Sequence, residues 1–454
     1  MLFNTFAAQN KTATVLKLRN TIILLLILII GFVLVRVFYI HYSIPYFNFA
    51  FLLIFSIYLW SAIGPKLKSI QPVFKHIFTF FYWLPMVLST IASVALLFSS
   101  LDDWPIFLRV YFVGGLFTYV MSMLLPVLFL FFADLVRFIE IIWKKNSEKR
   151  VDKVNGEGIT RRKFLVNTGL SLGGLTLGTM GFGMLHGNYD FKLWQYAVKL
   201  KRTPDSLKGL KIVQISDFHL GTWVNKDPLI EAVNFINNLD ADLVFFTGDL
   251  VNSMTEEAFP FKSELAKVKS KYGVFASLGN HDYGHYYNWD SKEDEQKNWD
   301  DLIELYDDIG WKLLRNENES VEINGSKIHV VGVENWSLNS RFPRLGDLDK
   351  ATENIESSDL NLLLSHDPTH WDEITKDHPV PMDITFSGHT HGFQFGIESK
   401  LFRWSPAQYI YKHWAGLYKD QSTQKFLNVN RGIGAIGFPG RVGIKPEITL
   451  IELA

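Results

Sequence analysis

Apolar positions are distributed unevenly along the 454-residue chain. Four long apolar runs occupy its first third: Thr21–Tyr39, Phe47–Ile63, Ile77–Phe98 and Ile106–Leu135. Each approaches the roughly 20 residues that a helix needs to cross a bilayer core. Pro85 and Pro126 lie inside runs, where neighbouring helices can satisfy the carbonyls that proline frees. After Asn188 the pattern changes to short β-rich apolar runs alternating with amphipathic ones. Ile212–Ile215, Leu243–Thr247, Val274–Leu278, Leu360–Leu364 and Ile384–Phe386 read as strands. Asp227–Leu239, Thr255–Lys269 and Glu295–Ile309 read as helices; in the first, Leu229, Ile230, Val233 and Ile236 recur at helical spacing. Phe426–Val429 and Glu447–Leu453 read as strands joined by a Gly-rich loop without a helix. The expected layout is a four-helix transmembrane domain over 1–143, a linker with a fifth hydrophobic segment over 144–187, and an α/β domain over 188–454.

Charge sharpens this division. Residues 1–190 hold 17 Lys and Arg against 8 Asp and Glu, and residues 191–454 hold 28 against 38. A basic apolar part followed by an acidic part suggests a membrane anchor with an enzyme-like head. The acidic head argues against nucleic acid, which needs a basic face. The chain has no Cys, which excludes disulfides and thiolate metal sites. Lys11, Lys17 and Arg19 precede the first run, Lys66, Lys68 and Lys75 separate the second from the third, and Arg137, Lys144, Lys145, Lys149, Arg150 and Lys153 follow the fourth. The intervening loops are base-poor, as at Asp102-Asp103-Trp104. The positive-inside rule then places both ends of the four-helix domain in the cytoplasm, although Arg36 and Arg109 stand against it. Arg161-Arg162 precede the weakly apolar run Val166–Leu185. The pair resembles a twin-arginine export signal; the alternative is an ordinary fifth span with basic flanks. Either reading makes this a multi-pass protein of the cytoplasmic (inner) membrane with its head on the outer face.

The chemistry-bearing residues cluster where strands end. Ser216-Asp217-Phe218-His219 follows the first strand, and side chains two apart on extended backbone point the same way. Gly248-Asp249, Gly279-Asn280-His281-Asp282, Ser365-His366 and Gly388-His389-Thr390-His391 follow the others. Asp, Asn and His at successive strand ends, with Gly where backbone must come close, form a metal-centre pattern.

With these motifs, the sequence resembles the calcineurin-like metallophosphoesterase superfamily over about residues 205–454. Within it, the membrane part resembles the branch described as transmembrane proteins with a metallophosphoesterase domain. Asn430-Arg431-Gly432-Ile433-Gly434 and Pro446-Glu447-Ile448 carry further likeness to that branch. The resemblance implies a four-layer αββα sandwich with two divalent metal ions at the strand ends. It implies that Asp217, His219, Asp249 and His391 hold the first ion, and that Asp249, Asn280, His366 and His389 hold the second, with Asp249 as the bridge. Nitrogen and oxygen ligands suit Mn, Fe, Zn, Co or Ni. By the same resemblance His281 faces the substrate, protonating the leaving alkoxide or stabilising phosphoryl charge. Asp282 either orients His281 or caps the loop. Arg431 either contacts phosphate or closes a loop. His285, His370 and His413 read as packing or surface residues.

The expected activity is hydrolysis of a phosphate ester or pyrophosphate on a small-molecule or lipid-linked substrate. The resembled superfamily includes enzymes that cleave UDP-2,3-diacylglucosamine, although that step belongs to the cytoplasmic face. A non-catalytic membrane sensor or scaffold with a phosphoesterase-like head is the competing reading, and the complete ligand set argues against it. Two aromatic-rich stretches, Tyr283–Trp289 and Leu401–Tyr418, read either as core packing or as a rim facing membrane lipids.

Overall fold

The computed structural model describes residues 29–37, 43–96, 98–99, 101, 104–146, 161–201, 204–355, 360–399 and 401–454. The basic N-terminal segment, most of the first apolar run, Asp102-Asp103 and residues 147–160 lie outside the described residues. The chain divides into two compact units, Met1–Pro105 with Gly115–Thr179, and Ile106–Gly114 with Met180–Ala454.

The long helices are α1 (Ser43–Ile63), α2 (Pro72–Ala95), α3 (Ile106–Asn146) and α4 (Arg161–Phe182). Among the described residues, Phe49–Ser69, Pro72–Ala95 and Ile106–Val136 are long and apolar enough to cross a membrane. In the first unit Leu52, Leu59 and Ile63 of α1 pack with Tyr82 and Met86 of α2 and with Met123 and Val127 of α3. Two tyrosine hydroxyls inside this unit find backbone acceptors: that of Tyr82 donates to the Ser56 carbonyl at 2.7 Å, and that of Tyr119 to the Tyr82 carbonyl at 2.8 Å. α3 continues well beyond the expected end at Leu135, because Arg137 and Glu140 are polar but good helix formers. α4 takes in Arg161 and Arg162, so the arginine pair opens a helix rather than closing a linker.

In the second unit, two six-stranded sheets face each other. The first contains β1 (Lys192–Val198), β2 (Lys211–Ile215), β3 (Leu243–Thr247), β4 (Val274–Ser277) and β5 (Lys312–Leu313). The second contains β6 (Glu317–Ile323), β7 (Ser326–Gly332), β8 (Leu360–Leu364) and β9 (Ile384–Ser387). A small hairpin, β10 (Ile397–Glu398) with β11 (Arg403–Trp404), precedes β12 (Gly416–Lys419), β13 (Phe426–Val429) and β14 (Glu447–Leu453). The strand orders are β1-β14-β2-β3-β4-β5 and β12-β13-β9-β8-β7-β6.

β3 is Leu-Val-Phe-Phe-Thr and buried throughout, as a parallel strand covered on both faces requires. Its alternation decides the layers. Leu243 and Phe245 point between the sheets, where Phe245 meets Phe386 edge-on at 4.9 Å. Val244 and Phe246 point outward onto the helices α5 (Asp227–Asn237) and α6 (Lys292–Asp308). Burying each such phenylalanine contributes on the order of 2–3 kcal/mol. The outer face of the second sheet packs Val331, Leu363 and Met382 against the short helix Leu348–Ala351. The four αββα layers follow, with the helical layer on the second sheet much thinner than on the first.

One expected helix is corrected. Thr255–Lys269 forms a 3₁₀ segment, Thr255–Phe261, and a single α-turn, Lys262–Leu265. Pro260 lacks the amide that a continuous helix needs there.

Candidate metal centre

β2, β3 and β4 run parallel in one sheet, and β7, β8 and β9 run parallel in the other. The loops that leave β2, β3, β4, β8 and β9 meet at one edge of the sandwich. Backbone bonds extend the pairing past the strands: the Asp217 amide donates to the Gly248 carbonyl at 2.9 Å and the His219 amide to the Asp249 carbonyl at 3.2 Å. Gly388 lies so close to Asp217 that a Cβ there would sit 2.3 Å from Oδ2, which explains why only glycine stands before His389.

Two clusters result, Asp217 with His219 and His391, and Asp249 with His366 and His389, each with its donor atoms within 4.8 Å of one another. All six side chains are buried or nearly so. Asp249 faces both clusters: Oδ2 is 3.0 Å from His366 Nε2 and 3.6 Å from His219 Nε2. Its Oδ1 accepts the His281 amide at 2.8 Å. Asn280 lines the same cavity, and its Oδ1 is buried without a protein partner.

Bare imidazole nitrogens face each other, His219 Nε2 to His391 Nε2 at 3.0 Å and His389 Nδ1 to His366 Nε2 at 3.2 Å. Such convergence of lone-pair donors on carboxylates, with an orphaned amide oxygen beside them, fits a pair of divalent cations. The second nitrogens are held from behind. His366 Nδ1 donates to the Thr247 carbonyl at 2.6 Å, and His389 Nε2 lies 3.0 Å from the Tyr411 hydroxyl. These contacts fix which nitrogen each ring presents.

The backbone here is strained. Asp217, His219, Asp249, His389 and His391 all have positive φ, between 46° and 72°. Non-glycine residues adopt that region rarely and at a cost of about 1–3 kcal/mol each, and such outliers cluster where function demands a fixed side-chain direction. Electrostatics follow the same geometry. Burial acts to lower the His366 imidazole, but the Asp249 carboxylate outweighs it and raises it to about 10.

The structure decides between the alternative roles left open for Asp282 and Arg431 and adds residues that no motif marked. Asp282 does not orient His281: its carboxylate accepts the amides of Asp249, Leu250 and Gly279 at 2.8–2.9 Å and so ties two of the site's loops together. Asn252 orients His281 instead, through a 2.6 Å bond from Nδ1 to its carbonyl. Arg431 is fully buried between Glu447 and Glu398 and closes a loop. Arg441, which no motif marked, donates to the carbonyls of Arg431 at 2.8 Å and of Gly432 at 3.1 Å. Tyr286 was legible only as part of an aromatic stretch; its hydroxyl accepts from Asn280 Nδ2 at 2.9 Å and its ring lies 4.3 Å from that of His281.

His285, His370 and His413 stay outside both clusters. His370 is buried, with Nδ1 2.9 Å from the Ser365 hydroxyl. Burial pushes its imidazole down from 6.5 to about 4. The unfolded chain therefore binds the extra proton between those values and the folded chain does not, so stability falls as pH drops through that window. We expect this single group to remove up to about 3 kcal/mol by pH 4. Thermal melts should show a shallower pH dependence in His370→Asn than in the wild type; parallel curves would refute the assignment.

A four-layer αββα sandwich with paired Asp and His clusters at one edge defines a metallophosphoesterase-type domain. Residues 210–393 match the family model described as calcineurin-like phosphoesterase, and residues 39–188 match one described as probable calcineurin-like phosphoesterase, transmembrane domain. The chain belongs to the calcineurin-like phosphoesterases and carries the transmembrane domain of a membrane branch. It is 31% identical over 262 residues to an "Uncharacterized metallophosphoesterase" of Helicobacter pylori (strain J99), covering 56% of this chain and 64% of that one. It is 28% identical over 278 residues to the Danio rerio "Transmembrane protein with metallophosphoesterase domain", covering 60% and 59%. It is also 28% identical over 304 residues to the Bacillus subtilis "Uncharacterized metallophosphoesterase YkuE", covering 65% and 98%. The matched region thus spans less than two thirds of the Helicobacter and Danio relatives.

Proposed function

We propose that this protein is a membrane-anchored, metal-dependent phosphoesterase that hydrolyses a phosphate ester or pyrophosphate bond, with an amphiphilic, lipid-linked substrate as the best fit. The observation that carries the reading is the shared cavity of about 370 Å³, in which His219, Asp249, Asn280, His281, His389 and His391 meet on one side. Phe342, Phe393, Ile436 and Phe438 add apolar lining, together with the polar Thr390, Gln394 and Tyr411. A phosphoryl group suits the first side and an apolar body the apolar lining.

Asp217, His219, Asp249 and His391 would hold one divalent ion, and Asp249, Asn280, His366 and His389 the other. When bound, such a pair supplies Lewis acidity that offsets phosphoryl charge and acidifies a water. The protein's own part is positioning and proton transfer. Thr247 and Tyr411 fix the rings of His366 and His389. With Nδ1 committed to Asn252, His281 has Nε2 left for the substrate. The water loses a proton to solvent as its oxygen bonds to phosphorus; the phosphorus–ester oxygen bond breaks, His281 gives the leaving oxygen a proton from Nε2, and it takes one back from solvent.

The positive-inside pattern supports placing the head on the outer face of the cytoplasmic membrane, and Arg161-Arg162 suggest the twin-arginine route. The test is to assay Mn-loaded full-length protein on aryl phosphomonoesters, aryl phosphodiesters and lipid pyrophosphates, UDP-2,3-diacylglucosamine among them, with protease applied to intact spheroplasts. We expect metal-dependent turnover and digestion of the head. No turnover on any class would overturn the enzyme reading in favour of a sensor. Protection of the head would overturn the orientation alone.

A further inference from the structure

Beside the site, the chain exposes an apolar strip that runs from the cavity's edge well beyond it. It starts at Phe393, which lines the cavity and is partly exposed. Phe395 and Ile397 follow at two-residue spacing, which puts them on one face of extended backbone. Ile397 pairs with Trp404 across the β10–β11 hairpin, the Phe395 and Trp404 rings lie 6.4 Å apart, and Trp404 donates to the Tyr409 hydroxyl at 3.3 Å. At the tip, Leu401 is 98% exposed and Phe402 55%. The opposite face of the hairpin is polar and inward: Glu398 pairs with the buried Arg431. Single exposed apolar residues are ordinary, but a connected strip of this length marks an interaction surface.

The strip is also tied to the membrane-crossing part of its own unit. Phe395 bridges Val442, whose amide donates to the Gln394 carbonyl at 2.7 Å. The adjacent Arg441 donates its amide to the Gly183 carbonyl at 3.2 Å, directly after α4. A Cβ on Gly183 or Gly187 would come within 2.6 Å or 2.2 Å of the Arg441 carbonyl oxygen, so this approach needs glycine. Pro439, in the same segment, lies against Gly114 in the first turns of α3, whose residues Ile106–Val136 form a candidate membrane span. The segment 439–442 thus contacts the start of that span on one side and the base of the strip on the other.

We infer that the β10–β11 hairpin and the strip leading from it to the cavity form a membrane-seating surface, whose partner is the headgroup and upper acyl layer of the bilayer that the chain itself crosses. Trp and Tyr at the base with Leu and Phe at the tip match the order in which an interface is entered, amphipathic rings at headgroup level and apolar side chains deeper. The catalytic cavity then opens at the lipid surface, because Phe393 belongs to both. A lipid phosphate would reach the site without leaving the bilayer.

The absence of cysteine allows a direct test. Leu401→Cys, carrying an environment-sensitive fluorophore, is reconstituted as full-length protein in phosphatidylethanolamine–phosphatidylglycerol vesicles. Lys327→Cys serves as the aqueous control, since it is exposed at the start of β7, opposite the strand ends that carry the site. The label at 401 should lose about half its emission to lipids brominated high on the acyl chain and resist aqueous iodide; the label at 327 should do the reverse. Quenching at 401 by iodide alone would overturn the inference. Protection from both quenchers, with disulfide formation between unlabelled Leu401→Cys chains, would show a second copy as the occupant and overturn it equally. The readout needs no turnover, so it stands apart from the phosphoesterase reading.

Discussion

Asp249→Asn should leave a folded protein with no measurable turnover of an aryl phosphodiester and with bound metal sharply reduced. Among the described residues, Asp249 is the one carboxylate paired with imidazoles of both clusters, 3.0 Å from His366 Nε2 and 3.6 Å from His219 Nε2. Replacing its charge with a neutral amide removes an anionic ligand from both ions at once. It also places an amide nitrogen where a lone pair is needed, because only one of the two side-chain oxygens survives. That oxygen would still be drawn to the His281 amide, which now binds Oδ1 at 2.8 Å. The expected loss is therefore larger than for any other single ligand. Metal content measured on the purified variant, with turnover on the same sample, checks this. Full metal and wild-type turnover would remove Asp249 from the bridging position.

His281→Ala should give the opposite combination, normal metal and slow chemistry. No atom of the His281 side chain belongs to either cluster, and its Nδ1 is committed to the Asn252 carbonyl at 2.6 Å. A general acid in this position is worth roughly 10²–10⁴ in rate. The loss should be greatest for alkyl leaving groups and should shrink for nitrophenolate, which departs without a proton. The comparison of kcat across leaving groups is what separates roles: an equal loss on all of them would make His281 a phosphoryl clamp rather than an acid. Because the Tyr286 ring packs on His281 at 4.3 Å, truncation also frees that ring, and metal content confirms that the site itself survives.

The contrast between these variants shows which parts of the site the sequence carries. Asp217, His219, Asp249, Asn280, His281, His366, His389 and His391 were legible because each follows an apolar run that can only end at the rim of a sheet. That reasoning identifies side chains and not backbone. Nothing in Asp-x-His reveals that Asp217 and His219 take positive φ, or that their amides bond the Gly248 and Asp249 carbonyls about thirty residues on. The role of Asp282 stayed open for the same reason. Adjacency to His281 suggested an orienting carboxylate, whereas the amides of Asp249, Leu250 and Gly279 claim it first. Tyr411, part of the second aromatic stretch, and Arg441 support metal-site histidines or their loop from distant positions, and no local pattern marks those roles.

The fold divides similarly. β3 and β8 are continuous apolar runs and read clearly. The antiparallel pair β6–β7 did not, because β6 is half-polar Glu-Asn-Glu-Ser-Val-Glu-Ile at the edge of its sheet and has one face in solvent. β1 was not marked for a related cause: it is an edge strand, Lys-Leu-Trp-Gln-Tyr-Ala-Val, in which only Val198 is fully buried, and its place is set by pairing with β14.

The central claim is that the strand ends of this membrane protein hold a dinuclear metal centre, and the number of manganese ions bound per chain tests it most directly. The full-length protein should take up two, His391→Ala and His389→Ala should each retain about one, and turnover should be lost in both. A wild type that binds one ion or none at saturating manganese, or two variants that both keep the full complement, would contradict the account.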